Sequence, residues 1–184
     1  MAEKLAEFTI PFRMRDSMPV LYDHWIAADI FCYIRLAMGG RERRDFLQVM
    51  NRPKRYISRE CVDTAQISFD RLRTWYDDKP WMMERIDRME SDLDRMRLMT
   101  PYAAVNYIRN GIEYESYLKE YAAYRKLKPE ELISILDELQ ESARNFRTYR
   151  QWFDHIEEYR KMLEEQKGKT DDGDAVVLST MHSS

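Results

Sequence analysis

Residues 81–96, WMMERIDRMESDLDRM, decide the fold class of this chain. Apolar residues recur there at spacings of four and three, and they are Met82, Ile86, Met89, Leu93 and Met96. Charged residues occupy most positions between them. This spacing is typical of an amphipathic helix that packs one face against a core. The segment is too short to indicate a separate coiled coil, so we expect it to be one helix of a bundle.

The segments on both sides of this helix also carry helix signals. Thr100 and Pro101 form a start signal, because Thr caps a helix well and Pro suits its first position. Gly111 stands where a C-terminal cap belongs, and Ser58 is a plausible N-cap for a helix that reaches Tyr76. Together the patterns predict helices over about 19–38, 42–50, 58–76, 101–110 and 113–125, and from 129 and 148 onward.

Strand patterns are confined to the two ends of the chain, at residues 8–14 and 175–180. The apolar run of Val176, Val177 and Leu178 is typical of a strand buried on both faces. It follows KGKTDDGD, residues 167–174, which is polar and reads as a flexible linker. We therefore predict a mainly α fold, with a helical domain inserted between short flanking strand and helix pieces of an incomplete α/β domain. Two connections, near residues 51–59 and 167–174, would form a hinge.

Composition excludes several classes of protein. The chain has 184 residues and a net charge of -3, with 44% hydrophobic residues, which suits a globular core. It has 2 cysteines, too few for a disulfide framework. Its apolar runs are shorter than the ~20 residues of a membrane span, and its first residues lack a signal-peptide layout. We expect a cytoplasmic protein without membrane contact.

Residues 41–59 contain seven Lys or Arg residues and two acidic ones. A basic stretch of this kind is a candidate anion-binding patch, and a solvated helix face is an equally good interpretation. Tyr56 follows Lys54 and Arg55 at a predicted helix entrance, where a phosphate could meet basic side chains and free backbone N–H groups. This is the best candidate for DNA contact. Most other aromatic residues fall on inward-facing stripes and are expected in the core.

Motifs for catalysis or metal binding are not evident in the sequence. A Gly-rich phosphate loop and a nucleophile elbow are both missing. His24, His155 and His182 are far apart in sequence, and surface or capping roles suit them better than metal ligation. The residues 171–174, DDGD, lack the remainder of a calcium loop. We therefore predict no catalytic, cofactor-binding or metal-binding residues.

Two blocks of sequence resemble the UvrD/Rep/PcrA family of superfamily 1 DNA helicases. VVLSTMHSS, residues 176–184, is similar to the start of motif V in that family. IPFRMRDSMPVLYDHWIAADIFCYIRLAMGGRERRDFLQVMNRPKRYIS, residues 10–58, resembles a second stretch of the family. The matching residues of this second block are Asp29, Tyr33, Arg35, Leu36, Asn51, Pro53 and Arg55.

The resemblance implies a division of the chain into three parts. Residues 1–57 would be a partial RecA-like 2A segment, residues 58–167 a helical 2B-like domain, and residues 168–184 a linker and the motif V strand of 2A. The chain would thus be a fragment that ends inside motif V. In the family the 2B domain is inserted in 2A between the same two blocks, and it swivels to bias the motor between active and inhibited states.

The resemblance also implies which residues meet DNA. Motif V would place Thr180, His182 and Ser183 toward single-stranded DNA. Arg52, Lys54, Arg55 and Tyr56 would lie near duplex DNA, where Tyr56-Ile57-Ser58 stands in place of the Gly-Ile-Gly turn of relatives. The expected partners are DNA at a single-strand/duplex junction and the remaining helicase domains.

The function expected from the resemblance is that of a DNA-contacting, regulatory fragment of an ATP-dependent 3′-to-5′ helicase. ATP and Mg²⁺ would serve the parent protein, and this fragment alone should not hydrolyse ATP. The alternative is a stand-alone helical adaptor that binds a partner protein, which amphipathic helices and an acidic middle would also suit.

Overall fold

The computed structural model describes the backbone of residues 21–182 and the side chains of residues 21–169. Within those limits the chain forms α-helices and one short 3-10 helix, joined by turns and, between Val49 and Phe69, by longer irregular segments. In chain order the α-helices are α1 (Trp25–Ala37), α2 (Arg43–Val49), α3 (Phe69–Trp75), α4 (Pro80–Met96), α5 (Pro101–Asn110), α6 (Tyr114–Arg125), α7 (Pro129–Ser142) and α8 (Tyr149–His182). The 3-10 helix, Arg59–Cys61, lies between α2 and α3. The prediction of a mainly α fold is confirmed.

Helix α1 lies at the centre of the core. Its side chains are buried on nearly every face, as for Ile26, Ile30 and Ile34, which is typical of a helix surrounded by others. It packs against α2, α4, α5 and α7. The imidazole Nδ1 of His24 accepts a hydrogen bond from the Ile26 amide and caps the helix, one of the roles expected for a histidine.

Helix α4 buries the seam that its sequence predicts. Met82, Ile86, Met89, Leu93 and Met96 are all buried, and the charged residues between them mostly face solvent. The hydroxyl of Tyr149, the first residue of α8, donates to the Met96 carbonyl and so ties α8 to the end of α4.

The start of α5 is also as predicted. The Thr100 hydroxyl accepts a hydrogen bond from the Ala103 amide at 3.3 Å, and Pro101 is the first residue of the helix. Gly111 ends it, with its amide bonded to the Tyr107 carbonyl at 2.7 Å.

The predicted helix from Ser58 to Tyr76 is wrong in its continuity. Ser58 caps only the 3-10 helix, and α3 begins later, capped by Ser68. Between them the chain is extended, because the Ala65 carbonyl and the Ile67 amide bond to the backbone of Arg43 and Arg41. Those long-range bonds, together with the isolated bridge between residues 42 and 66, replace the local bonds that a continuous helix needs.

The C-terminal prediction is also wrong in this structure. Helix α8 continues through residues 168–174, predicted as a linker and hinge, and through 175–180, predicted as a strand. A strand needs a neighbour for its backbone N–H and C=O groups, whereas a helix satisfies them within the segment. The described part of the chain offers residues 175–180 no strand to pair with. The predicted strand at residues 8–14 lies outside the described residues.

One hydrophobic core runs from Leu21 to Ile156 and draws on residues from both sides of the predicted boundary between 57 and 58. The insertion of a helical domain into an α/β domain stays a prediction. No helix in the described residues is both long enough and apolar enough to cross a membrane.

Candidate nucleic-acid interface

The predicted DNA-binding segment forms a loop, residues 51–57, that is held in place by buried polar contacts. The first is centred on Asp29, whose side chain is fully buried in α1. Its carboxylate accepts hydrogen bonds from Gln48 Nε2 at 2.7 Å, Arg52 Nη1 at 2.9 Å and the Tyr114 hydroxyl at 2.7 Å. These contacts join α1, α2, the loop and α6.

The charges of this first contact influence each other. Burial raises the pKa of Asp29, and the hydrogen bonds from Tyr114 and Arg52 only partly offset it. Burial alone would lower the pKa of Arg52, but the adjacent Asp29 carboxylate outweighs it and raises that pKa. The guanidinium of Arg52 therefore stays charged and committed to Asp29.

The second contact is made by Arg55, which is 8% exposed. Its Nη1 donates to the carbonyls of Val49 and Met50, both at 3.1 Å, and its Nη2 donates to the Tyr33 hydroxyl at 3.0 Å. The Tyr33 hydroxyl in turn donates to the Arg52 carbonyl at 2.6 Å. Burial raises the pKa of Tyr33, so it remains a neutral donor. These bonds satisfy the carbonyls at the end of α2 and set the course of the loop.

A third contact closes the loop on itself. The Asn51 side chain donates to the Ile57 carbonyl and accepts from the Ile57 amide, both at 2.9 Å. The next amide, of Ser58, donates to the Tyr76 hydroxyl at 2.8 Å. The loop is thereby held at both of its ends.

The start of α2 is anchored by an ion pair with α1. Arg35 donates through Nε and Nη2 to the two carboxylate oxygens of Asp45, at 3.0 and 2.9 Å. Burial, the largest single influence, acts to raise the pKa of Asp45, but the Arg35 hydrogen bonds and charge prevail and lower it. Burial raises the pKa of the adjacent Cys32 thiol to about 11, so this thiol is unreactive at neutral pH.

Tyr56 projects outward from the loop and is 69% exposed. Its φ of 61° lies in the left-handed region, which bulky residues adopt rarely. The guanidinium carbon of Arg85 lies 5.4 Å from the centre of its ring. Arg85 also donates to the Arg55 carbonyl at 3.4 Å, so α4 supports the loop from the side.

The exposed residues Lys54, Tyr56, Arg85 and Arg88 form what we call the Lys54 surface. Its three cations line a shallow cavity of about 190 Å³, together with Asp92 and Glu113. Asp92 accepts a hydrogen bond from the Tyr107 hydroxyl at 2.7 Å, while Glu113 is exposed. The surface thus presents three cations and an aromatic ring, with one exposed carboxylate at its edge.

The predicted site residues differ in how far their side chains are exposed to solvent. Lys54 and Tyr56 are exposed, as a DNA contact requires. Arg55 is turned inward, and Arg52 is half-buried against Asp29, so neither guanidinium is presented as the sequence suggested. The difference arises because the carbonyls of α2 and the Asp29 carboxylate attract these arginines more strongly than water does. Thr180 and His182 lie in α8, whose side chains there are outside the described part, and Ser183 lies outside it entirely.

Sequence reasoning missed Arg85 and Arg88. They are three residues apart on α4 and so lie on the same face of that helix. This spacing was a usable signal, but only the structure shows that their face borders the loop. Among the side chains described, no group of three His, Cys, Asp or Glu residues could hold a metal ion.

No protein-family model matches this chain, and neither the curated proteins nor the solved structures contain a match to it. The resemblance to the UvrD/Rep/PcrA helicases therefore rests on the residues quoted above.

Proposed function

We propose that this chain is a DNA-contacting, regulatory helical part of a UvrD-like helicase and that it binds the phosphate backbone through the Lys54 surface. One observation carries the proposal. Two inward-facing arginines, Arg52 and Arg55, fix the loop, and the loop then presents Lys54 and Tyr56 beside Arg85 and Arg88. Exposed cations on a fixed backbone are the usual means by which proteins bind phosphates without reading sequence.

The residues that carry the family resemblance support this proposal through their positions. Asp29, Tyr33, Arg35, Asn51 and Arg55 all take part in the contacts that fix the loop or the helix before it. Each contact needs the residue type found there: a carboxylate for Arg52, a hydroxyl for Arg55, an amide for Ile57. A pattern shared with the family thus coincides with the structural framework of the candidate site.

The backbone at Tyr56 gives a second line of support. The resemblance places a glycine of relatives at this position, and glycine adopts the left-handed region without steric cost. Tyr56 adopts that backbone conformation, with φ of 61°. This chain therefore holds, with a tyrosine, a conformation that a glycine at the same position would adopt freely.

The proposed role is binding and regulation. DNA at a single-strand/duplex junction would be the ligand, and the ATP-hydrolysing domains of the parent would be the protein partners. ATP and Mg²⁺ would be bound by those domains. A purified sample of this chain is expected to show no ATP turnover in a phosphate-release assay, with or without DNA.

The test is a fluorescence-anisotropy titration with a labelled junction DNA at several salt concentrations. We expect affinity that falls steeply with salt, because binding by phosphate contacts releases counterions. Lys54→Ala and Arg88→Ala should each weaken binding and lower the slope of log K against log salt by about one.

Lys161→Ala is the matched control, since Lys161 is an exposed cation of α8 outside the Lys54 surface. It should leave both the affinity and the slope nearly unchanged. Tight binding that does not respond to salt would contradict the proposal. So would the absence of binding at low salt, which would favour the adaptor alternative.

A further inference from the structure

A second feature lies beside Tyr56. It is an open groove of about 490 Å³, comparable with the ~300 to 1,000 Å³ of small-ligand sites. The residues that matter for its chemistry are Tyr56, Glu60, Trp75, Tyr76, Lys79 and Trp81. We call it the aromatic groove.

Three large aromatic side chains of this groove are exposed: Tyr56 at 69%, Trp75 at 52% and Trp81 at 56%. They come from separate segments, since Tyr56 is in the loop, Trp75 ends α3 and Trp81 is the second residue of α4. Single exposed aromatics are ordinary, but three that line one depression make a concentrated apolar surface. The core does not need these rings, because it is completed by other side chains of the same helices, such as Leu72 and Met82.

Cations accompany the rings. The Lys79 ammonium lies 5.9 Å from the centre of the Tyr76 ring, and the Arg85 guanidinium lies 5.4 Å from that of Tyr56. Glu60 lines the groove as its acidic residue and is exposed. The groove thus has aromatic faces flanked by cations, with one carboxylate at its edge.

Aromatic faces interleaved with cations are the elements that bind single-stranded nucleic acid. Bases stack on the rings, and the phosphates between them pair with Lys and Arg. An aromatic groove also suits a proline-rich peptide. The two cations held at the rings favour a polyanion. The groove adjoins the Lys54 surface at Tyr56, which lines the groove and contacts Arg85 of that surface.

We infer that the aromatic groove stacks unpaired bases of single-stranded nucleic acid. The phosphates of that strand would lie along Lys79 and Arg85 and away from Glu60. This inference rests on the proposed function, because the strand reaches the groove from DNA bound on the Lys54 surface. The two surfaces together would hold a junction, with the paired part on Lys54 and Arg88 and the unpaired bases on the tryptophans.

The experiment compares two single strands of equal length, an oligothymidine and an abasic strand with the same phosphates. Both are titrated into the whole protein, and anisotropy and tryptophan fluorescence are recorded. We expect the oligothymidine to bind about tenfold more tightly, since base–aromatic stacking contributes roughly that much. It should also quench tryptophan fluorescence, and the abasic strand should not.

Variants assign the effect to the groove. Trp75→Ala with Trp81→Ala should bring the oligothymidine affinity down to that of the abasic strand, and Trp75→Phe with Trp81→Phe should restore most of the difference. Tyr124→Ala is the control, because Tyr124 is 84% exposed but lies on α6 outside the groove. Glu60→Gln should strengthen binding of both strands by about twofold.

The outcomes separate this inference from the proposed function. Equal affinities for the two strands, unchanged by the tryptophan variants, would overturn the inference while leaving phosphate binding intact. Loss of binding to every DNA would overturn both. If a proline-rich peptide quenches the tryptophans and displaces no DNA, the groove is a peptide site and the inference is wrong.

Discussion

The arginines of the loop and the cations beside it differ in what they contact. Arg52 and Arg55 direct their guanidinium groups inward, to a buried carboxylate and to backbone carbonyls. Lys54, which lies between them in the sequence, is exposed, as are Arg85 and Arg88 on the neighbouring helix. In the sequence Arg52, Lys54 and Arg55 belong to one basic stretch, but in the fold the two inward-facing arginines shape the surface that Lys54 forms with Arg85 and Arg88.

Charged residues therefore serve two separate functions in this protein. Removing one partner of a buried ion pair strongly destabilises the protein, because the other charge stays in a low-dielectric site. An exposed cation keeps its hydration and contributes little to stability, yet it is available to a ligand. Substitutions in the inward-facing set should therefore lower the free energy of unfolding more than substitutions of the exposed cations. Substitutions of the exposed cations should weaken DNA binding while leaving stability nearly unchanged.

The largest effect is expected from Asp29→Ala. This substitution leaves the Arg52 guanidinium, the Gln48 amide and the Tyr114 hydroxyl without their common acceptor. We expect a loss of about 3–5 kcal/mol in the free energy of unfolding, measured by urea denaturation. Tyr114→Phe, which removes one donor and keeps the acceptor, is the control and should cost clearly less. A loss below about 1 kcal/mol in Asp29→Ala would show that the buried contacts of Asp29 do not stabilise the fold.

Asp45→Asn is expected to cost about 1.5–3 kcal/mol at neutral pH, because it removes the charge that Arg35 contacts twice. The pKa of Asp45 is lowered in the folded state, so the ion pair stabilises fully above the unfolded pKa of about 4. This stabilisation is lost as the pH falls through the lower, folded value. The difference between wild type and variant should therefore shrink on acidification.

The check for Asp45 is thermal unfolding followed from pH 7 to pH 3. Asp94→Asn, at an exposed acid of α4, serves as the control and should give a small difference at every pH. A difference for Asp45→Asn that grows in acid would contradict the direction of its pKa.

Tyr56 tests the loop between the two sets of cations. Tyr56→Gly and Tyr56→Ala lose the same ring, but alanine is disfavoured at φ of 61°. We expect Tyr56→Gly to be more stable than Tyr56→Ala by about 1 kcal/mol. The same pair at Ser91, exposed inside α4, should show the reverse order by a similar amount. The same order at both sites would show that the loop does not hold this backbone conformation.

The smallest effect on stability is expected from Lys54→Ala. Its side chain is exposed on the loop, so the free energy of unfolding should change by less than about 0.5 kcal/mol. The same variant should weaken DNA binding. A change in stability as large as that of Asp45→Asn would show that Lys54 contributes to the fold as the inward-facing charges do, which would contradict this prediction.

The elements that were predictable from the sequence are those fixed by neighbours within a few residues. Thr100 and Pro101 start α5, and the spacing of Met82, Ile86 and Met89 shows which face of α4 is buried. These interactions are local, so one sequence is enough to infer them.

The failures come from contacts that are distant along the chain. Ser58 was correctly identified as a cap, but the segment that follows bonds to residues 41–43 and does not continue as a helix. Residues 175–180 have the composition of a strand, yet they are helical where no strand is described beside them. The first outcome could not be inferred from its segment alone, because the deciding partners lie at residues 41–43, and the second depends on whether the fold supplies a neighbouring strand.

From the sequence it could be inferred that this protein is built of amphipathic helices, that residues 41–59 carry a concentration of basic residues, and that Tyr56 stands apart from the core aromatics. Tertiary structure alone decided that Arg52 and Arg55 turn inward, that Arg85 and Arg88 join Lys54, and that Trp75 and Trp81 meet Tyr56 at one groove. The physical reason is that helical periodicity is a property of neighbouring residues, whereas the direction of a charged or aromatic side chain depends on which partner the fold brings within reach.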